Sequence, residues 1–287
     1  LKQVEWIARG RSNALWIFAI ASLLAVGLGA AVMAQADIPL GIWIRNPIAW
    51  FVAGALTIFF ARLGWLGAWL APVAVILMTL SLFGPGQEGV HRWLDLGPVQ
   101  LNAAGLVLPV AIVAIDRARD RLAFPCLLVI AAMLAWQPDI SQLAAFSLAA
   151  IVIASSRRPG LLGLATSTFL AVGLIALCLS RPDPLAAVSH VEGILTLAWS
   201  HSPALASAMA VSLAASALSP LLAGPARAPR PTAPIALSAY LVTISLAPLW
   251  GAYPVPLAGY GLSFVIGGWL GIAALCVPRP DKSLTST

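Results

Sequence analysis

Ten apolar runs, joined by short connectors, follow one another between residues 14 and 277. No other feature limits the fold as strongly. A membrane-crossing helix needs roughly 20 apolar residues, and fewer when it is enclosed in a bundle. The runs lie at 14–35, 47–62, 64–83, 103–115, 122–137, 140–156, 161–179, 203–223, 233–250 and 257–277. The fourth and fifth are short. Only 9% of residues are charged, against about 25% in an ordinary soluble domain, so the bilayer is the solvent that such a chain requires. In lipid every backbone amide needs an internal partner, and no barrel-like alternation is visible, which leaves helices. The expected fold is therefore all-α: a polytopic integral membrane protein of about ten transmembrane helices, forming one domain over 1–287.

The charges sort by side. With the N-terminus placed in the cytoplasm, thirteen of the sixteen basic residues fall on cytoplasmic segments. These are Lys2, Arg9, Arg11, Arg62, Arg117, Arg119, Arg121, Arg157, Arg158, Arg227, Arg230, Arg279 and Lys282. Only Arg45, Arg92 and Arg181 fall outside. This follows the positive-inside rule and predicts both termini in the cytoplasm. Six of the ten acids (Asp37, Glu88, Asp95, Asp139, Asp183 and Glu192) and all three histidines fall on the outer face. The titratable chemistry is thus gathered outside. The net charge of +6 is dispersed, which excludes the clustered basic face of a nucleic-acid binder.

Other classes are also excluded. Cys126, Cys178 and Cys276 sit in apolar runs with no metal-ligand spacing and read as packing residues. The run from Ala14 to Gln35 is too long for the core of a cleavable signal. No phosphate-binding loop, dinucleotide fingerprint or nucleophile elbow occurs in a usable context.

Four outer segments carry the polar groups. In 84–102, His91, Arg92, Trp93 and Asp95 occupy five consecutive positions between two apolar runs. The glycines and prolines around them predict turns. Arg92 suits a phosphate because its fork donates paired hydrogen bonds. An interfacial tryptophan beside a snorkelling arginine is the alternative. At Gln137-Pro138-Asp139, Asp139 is placed to cap the next helix, and its position at the membrane edge leaves a functional role open. In 180–202, His190 and Glu192 stand two residues apart, where Glu192 could act as a general base with a pKa shifted by partial burial. Adding His201 gives no standard zinc spacing. At 253–263, Tyr260 and Ser263 lie among prolines and glycines that predict a broken helix or re-entrant turn.

Three of these segments together resemble the SEDS family, the shape, elongation, division and sporulation membrane proteins. Val90-His91-Arg92-Trp93-Leu94-Asp95-Leu96-Gly97-Pro98 resembles that family's Arg-Arg-Trp-Leu-x-x-Gly-Pro loop. Gln137-Pro138-Asp139 matches its Gln-Pro-Asp. Pro256 to Ser263 resembles its Pro-Phe-Val-Ser-Tyr-Gly-Gly-Ser turn. The order and topological positions agree along nearly the whole chain. There are departures: Gly105 and Leu108 stand where the family has a glutamate and a lysine, Ser141-Gln142 replaces Gly-Thr, and the last turn reads Tyr260-Gly261-Leu262.

The resemblance implies a peptidoglycan glycosyltransferase in the bacterial inner membrane. It would polymerise lipid II, or a related undecaprenyl-linked sugar, at the outer face beside a class B penicillin-binding protein. Its catalytic carboxylate, an aspartate in the family, would be Glu192, with His190 nearby. Substrate would meet His91, Arg92, Trp93, Asp95, Gln137, Asp139, Tyr260 and Ser263, with Arg92 on the pyrophosphate. The acyl tail would lie in membrane lipid. No cofactor is required with certainty, although a divalent cation is compatible with a pyrophosphate substrate, and nucleic acid is not an expected partner. The losses at Gly105 and Leu108 motivate an alternative class, a non-catalytic scaffold or regulator of a penicillin-binding protein. A transporter of lipid-linked precursor is a third.

Overall fold

A computed structural model describes residues 2–158, 160–181, 183–224 and 232–277, with side chains from residue 10 onward. In chain order the helices are α1 (Lys2–Gln35), α2 (Leu40–Trp43), α3 (Arg45–Arg62) and α4 (Leu70–Leu82). A hairpin of β1 (Trp93–Asp95) and β2 (Gln100–Asn102) follows. Next come α5 (Ala103–Arg117), α6 (Asp120–Trp136), α7 (Ile140–Arg157) and α8 (Leu161–Leu179). The last are α9 (Ile194–His201), α10 (Pro203–Leu218), α11 (Thr232–Leu246) and α12 (Leu262–Cys276). The protein is an all-α polytopic membrane protein. Among the described residues six stretches are long and apolar enough to cross a bilayer: Gly10–Gln35, Leu40–Arg62, Ile140–Arg157, Leu161–Leu179, Pro203–Ala223 and Thr232–Leu249. Leu70–Leu82 and Leu262–Cys276 are shorter apolar helices.

Each expected apolar run coincides with a helix, but some boundaries move. The third begins at Leu70 instead of 64. Gly64 adopts a left-handed φ of 72° beyond the end of α3, and Trp65 folds back to stack on Phe60 with ring centroids 5.3 Å apart. The last begins at Leu262 instead of 257, because 257–261 form a non-helical turn. Three further elements lie in segments expected to be loops, namely α2, the β1–β2 hairpin and α9. The linker 225–231 and the cations Arg227, Arg230, Arg279 and Lys282 lie outside the described residues.

Local chemistry sets the helix starts. Asn102 caps α5 by accepting from the Gly105 N–H at 2.8 Å, Asp139 caps α7 through Gln142, and Ser202 caps α10 with Pro203 in the first turn. Each cap satisfies an amide that the helix leaves open. Packing between α5 and α12 relies on missing side chains. A Cβ on Gly267 would lie 2.1 Å from the Gly105 carbonyl oxygen, and one on Gly271 would lie 2.7 Å from the Pro109 Cβ. Small residues bring membrane helices this close without a hydrophobic driving force. This seam holds α12, and hence the turn before it, at a fixed height in the bundle.

Candidate functional site: a charged cavity at one face

The hairpin places Arg92. Arg92 accepts the Ala103 N–H on its carbonyl, and β1 pairs with β2 from Trp93 opposite Asn102 to Asp95 opposite Gln100. Its side chain then turns inward to the end of α6. There Nε donates to the Gln137 carbonyl (3.1 Å) and Nη2 to the Pro138 carbonyl (2.8 Å). Nη2 also donates to Asp183 Oδ2 at 2.6 Å, and Asp139 Oδ2 lies 3.9 Å from Nε. The guanidinium therefore satisfies open carbonyls at a helix end and neutralises two carboxylates. Burial works against its charge, yet Asp139 and Asp183 outweigh burial and raise its pKa. Arg92 is thus heavily engaged within the protein, and its first effect is to hold the hairpin, α6 and the 183–192 loop together.

The second half of the site is a pair of interlocked loops. Val255 N–H donates to the Val191 carbonyl and Tyr260 N–H to the His190 carbonyl. Gly259 packs so closely that a Cβ would lie 2.4 Å from the Val191 oxygen. Asn46, 1% exposed, clamps the turn from the other side. Its Nδ2 donates to the Gly259 carbonyl at 2.8 Å, and its Oδ1 accepts from the Gly261 N–H at 3.2 Å. The expected interruption of helix is present as a closely packed turn, and its irregular backbone is satisfied by buried protein groups. Glu192 accepts the Val188 N–H at 2.7 Å. Burial raises its pKa, while that N–H pulls in the opposite direction. Burial lowers the pKa of His190, whose ring lies 6.1 Å from that of Tyr260.

Between these halves lies a cavity of about 660 Å3. Of the residues expected at a site, it brings together Arg92, Trp93, Asp139, Glu192, Tyr260 and Ser263. The others lie elsewhere. His91 points its Nδ1 to the Gly84 carbonyl at 2.8 Å and lines a small separate pocket with Gln137. Gln137 donates to Ser81 Oγ. Asp95 is exposed and accepts the Gly97 N–H, closing the hairpin turn. His190 sits beside Tyr260, behind the lining residues.

Sequence reasoning passed over Arg45, which had served only as a count in the charge balance. It is exposed, lines the cavity and donates through Nη1 to the Tyr260 hydroxyl at 3.0 Å. It therefore presents cationic character to the cavity without a carboxylate partner among the described ion pairs. Gln142 also lines the cavity and is fixed by a 2.6 Å bond from the buried Tyr240 hydroxyl. An asparagine at the start of an apolar run was the one available signal for Asn46. Among the described residues no three His, Cys, Asp or Glu side chains converge as metal ligands.

These features define a class: an all-α, multi-pass membrane protein with a charged cavity at one face. No protein-family model matches the chain, and no curated protein sequence does. Its fold is that of RodA. The rod shape determining protein RodA of Thermus thermophilus superposes with a TM-score of 0.63 at 22% identity, covering 91% of this chain and 95% of that one. An aspartate-to-alanine variant of the same protein gives 0.62 at 22% identity, covering 91% and 96%. A chain from a peptidoglycan synthase complex, described as coordinating polymerization and crosslinking, gives 0.60 at 20% identity, again covering 91% and 96%. The resemblance to the SEDS family therefore holds at the level of the fold.

Proposed function

We infer that this chain is a divergent SEDS protein that polymerises lipid II, or a related undecaprenyl-linked sugar, during cell-wall synthesis. It would sit in the bacterial inner membrane with both termini in the cytoplasm and the charged cavity facing outward. The observation that carries this reading is Glu192, half-buried in a cavity shared with Asp139, Arg45 and Tyr260, within a RodA fold. Glu192 takes the proton from the acceptor sugar hydroxyl. The freed oxygen bonds to the anomeric carbon of the donor, and the bond from that carbon to pyrophosphate breaks. Undecaprenyl pyrophosphate leaves with the electron pair. A base whose pKa is raised toward neutrality transfers protons more effectively, and burial moves Glu192 in that direction. Because the guanidinium of Arg92 is engaged by carbonyls and carboxylates, Arg45 is better placed to meet the pyrophosphate. Arg92 would orient Asp139 and Asp183. A class B penicillin-binding protein would crosslink the product, and any divalent cation would arrive with the pyrophosphate.

Polymerisation of lipid II by the purified protein tests this reading. Loss of a positioned base costs typically 10²–10⁴-fold, so Glu192→Gln should lower the rate by at least about 100-fold while leaving thermal unfolding unchanged. An unchanged rate removes Glu192 as the base. The active form is deprotonated and its pKa is raised. Activity should therefore fall as pH drops through a midpoint above the ordinary glutamate range, and a midpoint within that range would separate burial from function.

One observation favours a second reading, a scaffold for a penicillin-binding protein. Where the resemblance places a glutamate, Gly105 packs against the Phe264 ring, 3.1 Å from where a Cβ would lie. Where it places a lysine, Leu108 is fully buried. An ion-pairing seam has become an apolar one. A scaffold should complement a deletion strain even as Glu192→Ala, whereas an enzyme should not.

A further inference from the structure

A second large cavity lies away from the charged one. It is a groove of about 590 Å3 between α6, α7 and the first half of α8, within the ~300–1,000 Å3 of sites that bury a small ligand. Leu127, Ala131, Ala150, Ala154, Leu170 and Leu174 line it. The groove exists because α8 is only half docked. From Leu161 to Leu170 no residue is buried, whereas Ala171 and Cys178 are. The hydroxyls of Thr166 and Ser167, both at the lining, donate to carbonyls of their own helix. Neither has a spare donor, which leaves Ser147 as the one other hydroxyl in a lining that is otherwise mostly apolar, so the interior suits hydrocarbon.

The mouth is different. Arg158 lines it, exposed, with its guanidinium 4.3 Å above the Phe124 ring. Cation–π contact of this kind orients an arginine without neutralising it. Arg158 enters no ion pair among the described residues. The neighbouring Arg157 is turned away, toward Asp120 and the carbonyls of Ile115, Asp116 and Ala118. Backbone geometry holds Arg158 at the mouth. Gly160 has a φ of 133°, and a Cβ on Gly163 would lie 2.5 Å from the Arg158 carbonyl oxygen. An apolar slot with one uncompensated guanidinium at its end matches the two halves of an anionic phospholipid.

We propose that this groove binds one acyl chain of an anionic diacyl phospholipid, with Arg158 on the lipid phosphate. The leaflet is the one that the charge distribution assigns to the cytoplasm. The site is separate from the polymerisation cavity and does not depend on the activity proposed for it.

Native mass spectrometry of the full chain, released from micelles doped with phosphatidylglycerol or phosphatidylcholine, tests the site. The expected result is preferential retention of one phosphatidylglycerol. One arginine at a lipid phosphate is worth about fivefold in binding, so Arg158→Gln should lower that retention by about fivefold. Leu170→Trp fills the groove from the undocked half of α8, where no packed core is disturbed, and should abolish retention of both lipids. Arg181→Gln, whose arginine stacks on Trp136 at the opposite end of α8, should retain lipid like the unaltered protein. Excess inorganic phosphate should not displace the lipid. Equal retention of the two lipids by the unaltered protein overturns the proposal. So does unchanged retention of phosphatidylglycerol by Arg158→Gln, or by Leu170→Trp.

Discussion

Arg92 at the cavity end of the bundle and Arg117 at the other end perform the same local task in different surroundings. Both donate to backbone carbonyls at helix ends or turns. Arg92 takes those of Gln137 and Pro138. Arg117 takes those of Leu66, Ala274 and Val277 at 3.1, 2.7 and 2.8 Å. A cation at a helix C-terminus also complements the helix dipole. The difference lies in what each arginine holds together. Arg92 is answered by Asp183 and Asp139 at the wall of a cavity. Arg117 ties the end of α12 to the turn that precedes α4. One device thus builds a chemical site at one face and a mechanical joint at the other. The positive-inside rule gives Arg117 an expected side, but not this role as a clamp.

The largest effect should come from removing Arg92. Arg92→Ala leaves Asp139, 5% exposed, without its cation. Deleting one partner of a buried pair costs roughly 3–5 kcal/mol. Thermal unfolding in detergent should show that loss together with loss of polymerisation. A fully stable variant would mean that water reaches Asp139 freely and that the cavity is more open than described. Arg117→Ala should cost less, about 2–3 kcal/mol, the worth of hydrogen bonds from a charged group to the carbonyls of Leu66, Ala274 and Val277. At a temperature where the variant is folded, its polymerisation rate should match the unaltered protein. A selective loss of rate without loss of stability would break the contrast between joint and site.

Legibility in the sequence followed the same divide. The helices could be read because lipid imposes a single demand, a run of apolar residues long enough to satisfy it, and every expected run holds a helix. One end of the bundle could be read as the place where polar groups gather, because the acids and histidines fall on segments that the charge pattern puts on one side. Which of those residues meet could not be read. The hairpin strands, three residues each, are too short to leave a pattern, yet their register turns Arg92 inward and leaves Asp95 outside. His91 and Gln137 stand beside cavity residues in the chain and still face a different pocket. Asn46 is 213 residues from Gly259, so its role as a clamp becomes visible only once α3 and the turn before α12 are side by side. The boundary of the last helix was misplaced for a related reason. Residues 257–261 are apolar enough for a span, but Leu257 takes a left-handed φ of 65° and Asn46 replaces the helical hydrogen bonds there.

The smallest effect should be the most discriminating within the cavity. Tyr260 accepts the Arg45 bond but is only half-buried, and Arg45 is exposed. Tyr260→Phe returns Arg45 to water, so the stability change should stay within about 0.5 kcal/mol. The hydroxyl does, however, hold a cavity arginine that enters no ion pair among the described residues. If Arg45 meets pyrophosphate, losing a bond that positions it should weaken donor binding by the worth of one hydrogen bond, about 0.5–1.5 kcal/mol. That corresponds to a rise in KM for lipid II of roughly 2- to 10-fold, with kcat held. Arg45→Gln should raise KM further in the same direction, and combining the two should add little, because both changes remove one function. A fall in kcat at constant KM would instead place Tyr260 at the reacting atoms beside Glu192, and an additive double variant would mean that Arg45 binds substrate from a position Tyr260 does not set.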